Sequence, residues 1–265
     1  MTKWTAVAFD AAESQAAYPV PRTATGVTEA RLLSPAGYSL WLSYARLEPG
    51  GTIEWRDEHS DDAIYVLAGE VEVRTVDGAA RRTPAGGAVL VECAAAATLT
   101  APSGAELLHF GAYAAGPALG GPAGDPEAPM GAVHVVGPEG EHVSGAREGV
   151  NAVWFADGTC PHCRVQLFEV TSPPSDEQRG KAHHHSEDEI IVLMGGSVSM
   201  GAHHFAPISA ISIPGDVRYA LVGGPDGHRF LNFRRNVSLQ VYARGSEPLL
   251  ETASARGGRP VSHAG

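Results

Sequence analysis

Short apolar stretches rich in β-branched and aromatic residues recur in two parts of the chain, residues 37–113 and 149–244. Gly, Pro and Asp bound these stretches, which is typical of β-strands separated by turns. The first part contains AIYVLAGEVEV and the second contains EIIVLMGGSVSM. Between the two parts, GPALGGPAGDPEAPMG is dominated by Gly, Pro and Ala and predicts a linker. The pattern therefore predicts an all-β chain in two parts.

The two parts also align with each other. AIYVLAGEVEV (63–73) matches IIVLMGGSVSM (190–200), and PSGAELLHFG (102–111) matches PDGHRFLNFR (225–234) in the same order. A repeat of more than about 100 residues is too long for a solenoid unit. We therefore interpret the chain as a duplicated domain.

Composition and charge narrow the class of protein. The 32 Gly and 19 Pro argue against a helical bundle. The net charge of −11 argues against nucleic acid and anionic membranes as partners. No apolar run approaches the roughly 18–20 residues of a membrane span, and the first residues do not have the pattern of a signal peptide. Three Cys do not make a disulfide framework. We expect a soluble, cytoplasmic protein.

The strongest chemical signal is the segment KAHHHSEDE, residues 181–189. In an extended strand, His183, His185 and Glu189 project to one side and His184 to the other. Two imidazoles and one carboxylate form a facial ligand set for a divalent transition metal, with positions left for substrate. A solvated His-rich loop, or a helix with His185 and Glu189 one turn apart, is the alternative. The β-branched residues that follow favour the strand.

This HxHxxxE segment, followed by Gly196, resembles the first motif of the cupin superfamily. IPGDVRY (213–219) resembles the second motif, in which a Pro-x-Gly turn leads to a His. The resemblance implies a bicupin, with two tandem antiparallel jelly-roll barrels. It also implies a metal inside the C-terminal barrel, held by His183, His185, Glu189 and a fourth ligand from the second motif.

The expected organisation has five parts. They are an N-terminal extension (1–26), an N-terminal barrel (27–115), a Gly/Pro-rich linker (116–145), a C-terminal barrel (146–245) and a flexible tail (246–265).

The fourth ligand position departs from the family pattern, because Tyr219 stands where cupins usually have His. A phenol with a pKa near 10 is a poor ligand until it is deprotonated. Tyr219 is therefore a candidate phenolate ligand, a hydrogen-bond or proton donor beside the metal, or a packing residue. We take Tyr219 and Glu189 as the candidate catalytic residues.

The metal-binding motif is not retained in the first half of the chain. Aligning Gly69 with Gly196 puts Asp62 at the position of Glu189, and Arg56 and Glu58 at the two His positions. His59 has the wrong parity. We expect a metal-free, structural barrel in which Arg56, Glu58 and Asp62 form an ion network.

Other His and Cys residues carry weaker signals. Cys160-Pro-His-Cys163 matches a redox motif, but a strand follows it where the motif needs a helix, and a zinc site would need more ligands. Cys93 is expected in the core, and His203 and His204 at a surface edge. His228 and Asn232 lie on the same side of one strand, so both could face the interior of the barrel. His109 is the equivalent of Asn232 in the first half.

These residues predict a metal-dependent enzyme that acts on a small molecule, with dioxygenase-like oxidation and Fe favoured and Mn, Ni, Cu or Zn as alternatives. A non-redox isomerase or lyase would use the same metal to polarise a carbonyl. A non-catalytic small-molecule-binding cupin is the third possibility. A homodimer is compatible with each.

Overall fold

The computed structural model describes residues 3–15, 18–20, 22–56, 59–113, 131–147, 150–160, 165–174, 181–242 and 246–261. These residues form 21 strands and one short 3-10 helix, and no α-helix. No helix among them is long and apolar enough to cross a membrane.

In chain order the elements of the N-terminal half are β1 (Thr5–Ala8), the 3-10 helix (Phe9–Ala11), β2 (Ser14–Gln15), β3 (Thr23–Leu32), β4 (Leu40–Trp55), β5 (Asp62–Thr75), β6 (Ala80–Pro84), β7 (Ala88–Val91), β8 (Ala97–Ala101), β9 (Ala105–Ala112) and β10 (Val133–Val136). Those of the C-terminal half are β11 (His142–Arg147), β12 (Val150–Asp157), β13 (Gln166–Ser172), β14 (His184–His185), β15 (Glu189–Met200), β16 (His203–Phe205), β17 (Ser209–Ile213), β18 (Val222–Arg234), β19 (Ser238–Val241), β20 (Leu249–Glu251) and β21 (Arg259–Pro260).

Two long strands close the N-terminal sheet into a barrel. β4 pairs with β9 through residues 40–47 and with β8 through residues 51–55. β5 pairs with the same two strands, β9 through residues 63–69 and β8 through residues 72–75. All of these pairs are antiparallel, so β4, β9, β5 and β8 form a closed circuit of backbone hydrogen bonds.

A second nine-stranded antiparallel sheet forms the C-terminal half, in the order β1, β17, β15, β18, β13, β12, β11, β21, with β16 beside β15. A small third sheet contains β14, β19 and β20. The predicted all-β, antiparallel fold in two parts is confirmed.

The alignment of the two halves is visible at one backbone position. Gly69 and Gly196 both have a positive φ, of 82° and 69°. A Cβ on Gly69 would lie 2.4 Å from the carbonyl oxygen of Gly104, and one on Gly196 would lie 2.0 Å from that of Gly227. Both strands thus need glycine at the same point, for the same two reasons.

Strand alternation divides the apolar residues of β5 and β15 between an interior and a shared core. Ile64 and Val66 face the interior of the N-terminal barrel, and Ile191 and Leu193 face the interior of the C-terminal one. The residues between them join one core that contains side chains of both halves: Ala63, Tyr65, Ile190 and Val192. Asp62 and Glu189 share the interior parity, so each places a carboxylate inside its barrel.

The edges of the two sheets differ from the expected organisation. β1, within the expected extension, pairs with β17 of the C-terminal sheet. β10, within the expected linker, pairs with β7 of the N-terminal sheet. The residues VHVV of β10 form backbone hydrogen bonds with β7, whose edge would otherwise be unpaired. The Gly- and Pro-rich sequence before them does not prevent this pairing. Residues 114–130 of the linker region lie outside the described residues.

The C-terminal segment that was expected to be a flexible tail contains two strands. Within it, β20 pairs with β19 and β21 pairs with β11. Ala253 is fully buried against Trp154 and Phe168. The tail is therefore part of the fold through residue 261.

Candidate functional site

The interior of the C-terminal barrel holds a buried ion pair. Glu189, the first residue of β15, is the register partner of Arg234, the last residue of β18. Arg234 Nη2 and Nε lie 2.8 and 3.1 Å from Glu189 Oε2, and Asn232 Nδ2 donates to the same oxygen at 2.7 Å. Glu189 Oε1 is also buried, but it has no hydrogen bond. Oε2 thus accepts from two side chains, whereas Oε1 accepts from none, and the phenol of Tyr219 is a further donor close to this carboxylate.

The predicted single strand over residues 183–189 is interrupted. His184 and His185 form β14, residues 186–188 turn, and β15 begins at Glu189. The turn is held by Asp188, whose Oδ1 accepts from the backbone N–H of Gly215 at 2.7 Å. It lets the chain pass from the small sheet into the large one.

The rings of His183 and His185 nevertheless lie close to each other and to the ring of Tyr219. The ring centroids of His183 are 4.9 Å from those of His185 and 4.7 Å from those of Tyr219. His183 and Tyr219 face each other as an isolated β-bridge. His184 points instead toward the exposed carboxylate of Asp216, at 3.7 Å.

Hydrogen bonds assign the tautomer of both rings. His183 Nδ1 lies 2.8 Å from the carbonyl oxygen of Lys181, so Nδ1 donates and Nε2 keeps its lone pair. Arg234 can only donate, so His185 Nε2, 3.1 Å from Arg234 Nη2, is an acceptor. His185 Nδ1 lies 3.1 Å from Glu251 Oε2, outside hydrogen-bond geometry. Both rings thus carry the lone pair on Nε2, which is one of the two nitrogens through which an imidazole binds a metal, and that of His185 already accepts from Arg234.

Two of the predicted ligands are close enough to share a metal. His185 Nε2 lies 3.9 Å from Glu189 Oε1. Two ligands at about 2.0–2.2 Å from one ion lie about 3.0–3.6 Å apart, so a small movement would suffice. His183 does not complete the group: in the described part of the chain, the three ligand atoms found within 4.8 Å of one another belong to other residues. The open, buried Oε1 fits a metal, and the position of His183 requires adjustment.

The charges around the site keep the carboxylates of Glu189 and Glu251 ionised and the phenol of Tyr219 protonated. Burial raises the pKa of Glu189, but the charge of Arg234 and the hydrogen bonds of Tyr219 and Asn232 outweigh burial and hold the pKa below its usual value. Glu251 behaves in the same way, with Arg234 the largest lowering influence, and its pKa lies well below the usual value. Burial first, and then the charge of Glu189, raise the pKa of Tyr219 well above 10. In this arrangement Tyr219 is a hydrogen-bond donor rather than a phenolate.

Three residues of this site were not predicted. Arg234 Nη1 lies 2.5 Å from Glu251 Oε2, and Arg256 Nη2 lies 2.6 Å from Glu251 Oε1. The two arginines therefore balance Glu189 and Glu251. Arg234 shares the parity of Asn232 and could have been found from the strand pattern. Glu251 and Arg256 lie in the expected tail, where no sequence signal marked them.

In the N-terminal barrel the equivalent carboxylate, that of Asp62, forms an ion pair with Arg22. Arg22 Nε and Nη2 lie 2.6 and 2.7 Å from the two oxygens of Asp62, and His109 Nε2 lies 3.2 Å from Oδ2. Burial raises the pKa of Asp62, but His109 and Arg22 lower it to about 2. Trp55 Nε1 also donates to Asp62, at 2.8 Å. No oxygen of this carboxylate is left open.

The predicted ion network of this barrel is therefore wrong in its partners. Arg56 is exposed and pairs with Glu54 at 2.7 Å, because its side chain points away from the interior. Glu58 lies outside the described residues. The buried His59 has both ring nitrogens at backbone carbonyl oxygens, of Ser60 at 2.7 Å and of Ala95 at 2.9 Å. His59 thus presents no nitrogen to a metal.

Most of the weaker predictions agree with the structure. Cys93 is buried, and His203 and His204 are exposed on β16. His109 and Asn232 occupy equivalent positions, opposite Ile64 and Ile191. His228 is only half-buried and stacks on Phe230 in the middle of β18. Cys163 lies outside the described residues.

Fold and site together define a two-barrel jelly-roll protein with a buried polar centre in each barrel. Solved structures of oxalate decarboxylases have a similar fold. Two mutants of the Bacillus subtilis enzyme superpose with TM-scores of 0.62 and 0.64, at 15% and 16% identity, over 90% of this chain and 78% of theirs. The Lactobacillus farciminis enzyme in a formate complex gives 0.64, at 15% identity, over 87% of this chain and 86% of its own.

The likeness confirms the fold of two antiparallel jelly-roll barrels that the motifs predicted. No family model matches the sequence, and no curated protein matches it.

Proposed function

We propose that the C-terminal barrel is the active site of a metal-dependent enzyme that acts on a small carboxylate. His183 and His185, through Nε2, and Glu189, through Oε1, would hold the ion. The observation that carries the proposal is the buried Glu189 Oε1, which has no hydrogen bond and lies 3.9 Å from His185 Nε2. A buried anionic oxygen without a partner is unfavourable, and a cation there would satisfy it.

The charge of the site supports an anionic substrate. Arg234 and Arg256 already balance Glu189 and Glu251. A divalent ion would leave an excess positive charge in a buried interior, and a small carboxylate would compensate it. The similar solved structures include a formate complex of an oxalate decarboxylase, which favours the same class of substrate.

The residues around the ion would have separate tasks. The metal would polarise a substrate oxygen as a Lewis acid. Tyr219 would hold its proton at the phenol oxygen and donate a hydrogen bond to the substrate. Arg234 fixes Glu189 through Oε2, so that Oε1 stays directed toward His185. Glu251 lies beside Nδ1 of His185 and would orient that ring.

Mn or Fe suits a two-His, one-carboxylate set of ligands. Among the reactions that such a site supports, we favour non-redox cleavage of the lyase type over dioxygenase chemistry. The reason is the fold shared with oxalate decarboxylases.

A second candidate function is metal-free binding of a small molecule. One observation favours it: Arg234 Nη2 already donates to both His185 Nε2 and Glu189 Oε2, so a protein cation stands beside the place of the metal.

Mn²⁺ loading separates the two candidates. We expect the wild-type protein to bind Mn²⁺ with an EPR signal of bound ion, and His185→Ala and Glu189→Gln to lose it. His204→Ala, which changes an exposed His outside the barrel, is the matched control and should bind normally. Equal Mn²⁺ binding by all four proteins, or by none, would contradict the metal centre and favour the binding protein.

The loaded protein would then be incubated with oxalate and other small dicarboxylates. We expect CO₂ release without O₂ consumption. Stoichiometric O₂ uptake without release of H₂O₂ would instead identify the dioxygenase reaction.

A further inference from the structure

A second group of potential metal ligands lies where the two halves meet. Glu92 follows β7 of the N-terminal barrel, His134 lies in β10, and Cys160 follows β12 of the C-terminal half. One ligand atom from each lies within 4.8 Å of the others. Cys160 also packs against the apolar core that the two halves share. The group is thus assembled only in the folded, two-barrel molecule.

The distances are close to those of a tetrahedral zinc site. His134 Nε2 lies 2.9 Å from Glu92 Oε1, and Cys160 Sγ lies 3.3 Å from the same oxygen. With bonds of about 2.0 Å to N and O and 2.3 Å to S, tetrahedral ligands lie about 3.3–3.6 Å apart. The distance from the thiol to the carboxylate lies in this range, and that from the imidazole to the carboxylate is shorter by a few tenths of an ångström.

The carboxylate is fixed in place before any ion binds. Glu92 Oε2 accepts from the backbone N–H of Ala132 at 2.9 Å, so Oε1 is directed at the other two groups. The Glu92 side chain is 2% exposed, whereas that of His134 is 41% exposed. The group therefore combines an oriented, buried anion with an opening through which an ion and a water molecule can enter.

A metal at this site would have to displace a proton from the imidazole. Contacts with Cys160 and then Glu92 raise the pKa of His134 to about 9. Burial raises the pKa of Glu92, but His134 and the N–H of Ala132 outweigh it. A divalent ion would replace the protons of the imidazolium and the thiol, which leave to solvent.

We propose that Glu92, His134 and Cys160 bind one zinc ion, with solvent as the fourth ligand. The mixed S, N and O donors suit Zn²⁺ better than Mn²⁺. The site is separate from the centre in the C-terminal barrel and contains none of its residues. Because its ligands come from both halves, the ion would fasten the N-terminal barrel to the C-terminal one.

Cobalt substitution tests the site directly. Co²⁺ bound by a thiolate gives a charge-transfer absorption in the near ultraviolet, which His, Glu and Tyr ligands do not. We expect this band in the wild-type protein and its loss in Cys160→Ser. His134→Gln and Glu92→Gln should weaken Co²⁺ binding by more than about tenfold.

Two controls accompany the measurement. Cys93→Ser changes the neighbouring buried thiol and should keep the band, and His185→Ala should keep it whatever happens to the barrel centre. Zn²⁺ should also raise the Tm of the wild-type protein and not that of Cys160→Ser. The proposal is overturned if the wild-type protein shows no band, if Cys160→Ser retains it, or if Zn²⁺ shifts both Tm values equally.

Discussion

Arg22 and Arg234 each form an ion pair with a buried carboxylate, one in each barrel, although they lie at different places in the repeat. Each neutralises the inward carboxylate of equivalent strands, Asp62 and Glu189, and a buried carboxylate without such a partner is strongly unfavourable. Arg234 stands opposite Glu189 on the neighbouring strand. Gly111 occupies that place beside Asp62, and the space is filled by Trp41. The N-terminal barrel therefore receives its cation from the segment before β3.

Replacing Arg234 should separate its structural role from its competition with a metal. Arg234→Met leaves Glu189 without a cation and Glu251 with Arg256 alone, and we expect a loss of about 3–5 kcal/mol in the free energy of unfolding. The same change frees His185 Nε2 and removes a positive charge, so Mn²⁺ should stabilise the variant more than the wild type. Urea unfolding with and without Mn²⁺ measures both effects.

Arg229→Met is the matched control for this experiment, since Arg229 lies on the same strand but is exposed. Arg234→Lys serves if the Met variant does not fold. A variant that is destabilised but gains nothing from Mn²⁺ would argue against the barrel centre.

Asp62 should make stability depend on pH in acid. Its pKa is about 2 in the folded protein, against 3.8 ordinarily. A lowered carboxyl pKa stabilises the fold above the ordinary pKa, and this contribution of about 2 kcal/mol is lost as the pH falls from about 4 to 2. Denaturant unfolding at several pH values should show Asp62→Asn less stable than wild type at pH 7, with a gap that narrows below pH 4. A gap that is independent of pH would show that the charge of Asp62 is not what matters.

Residues on a strand could be predicted, and residues that reach the site from elsewhere could not. The inward positions of Asp62 and Glu189 follow from alternation, which is a local property of the sequence. The same rule would have found Arg234. Arg22 and Glu251 arrive from an N-terminal segment and a C-terminal strand, and no local pattern specifies such long-range meetings.

At the scale of elements, the internal repeat correctly aligned β5 with β15. The alignment succeeded because both strands share an apolar pattern and a glycine at the same point, Gly69 and Gly196. The pairings of β1, β10, β20 and β21 were not predicted. These strands have two to four residues each, too few for a periodic signal.

Gly196→Ala should be strongly destabilising, whereas Gly195→Ala next to it should not. Position 196 combines a φ of 69° with a Cβ position only 2.0 Å from a carbonyl oxygen, so strain of about 1–2 kcal/mol adds to a backbone clash. A Cβ at position 195 would meet its nearest atom at an ordinary 3.9 Å. Thermal unfolding of both variants checks this, and equal Tm values would refute the close approach described here.

For the whole molecule, the apolar core between the barrels is the dominant connection. Phe110 of β9 and Phe233 of β18 are fully buried there and stack at 5.1 Å. A core built equally from both halves couples their unfolding, so neither barrel can open without exposing the apolar face of the other.

We therefore expect one calorimetric transition for both barrels. Phe233→Ala should lower the free energy of unfolding by about 3–5 kcal/mol and keep a single transition, because the cavity is shared. Val76→Ala, at an exposed position, should change little. Two resolved transitions in the wild-type protein would mean that the halves unfold independently.

The exchange of β1 and β10 has a consequence for the history of the duplication. A chain divided after β9 would yield two pieces. The N-terminal piece would carry β1, which pairs with the C-terminal sheet, and the C-terminal piece would carry β10, which pairs with the N-terminal sheet. Mixed together, the pieces hold complementary strands and should recombine into one complex. Loss of either half would therefore leave the other without one of its edge strands, although Arg22 occupies the inward carboxylate of the N-terminal barrel.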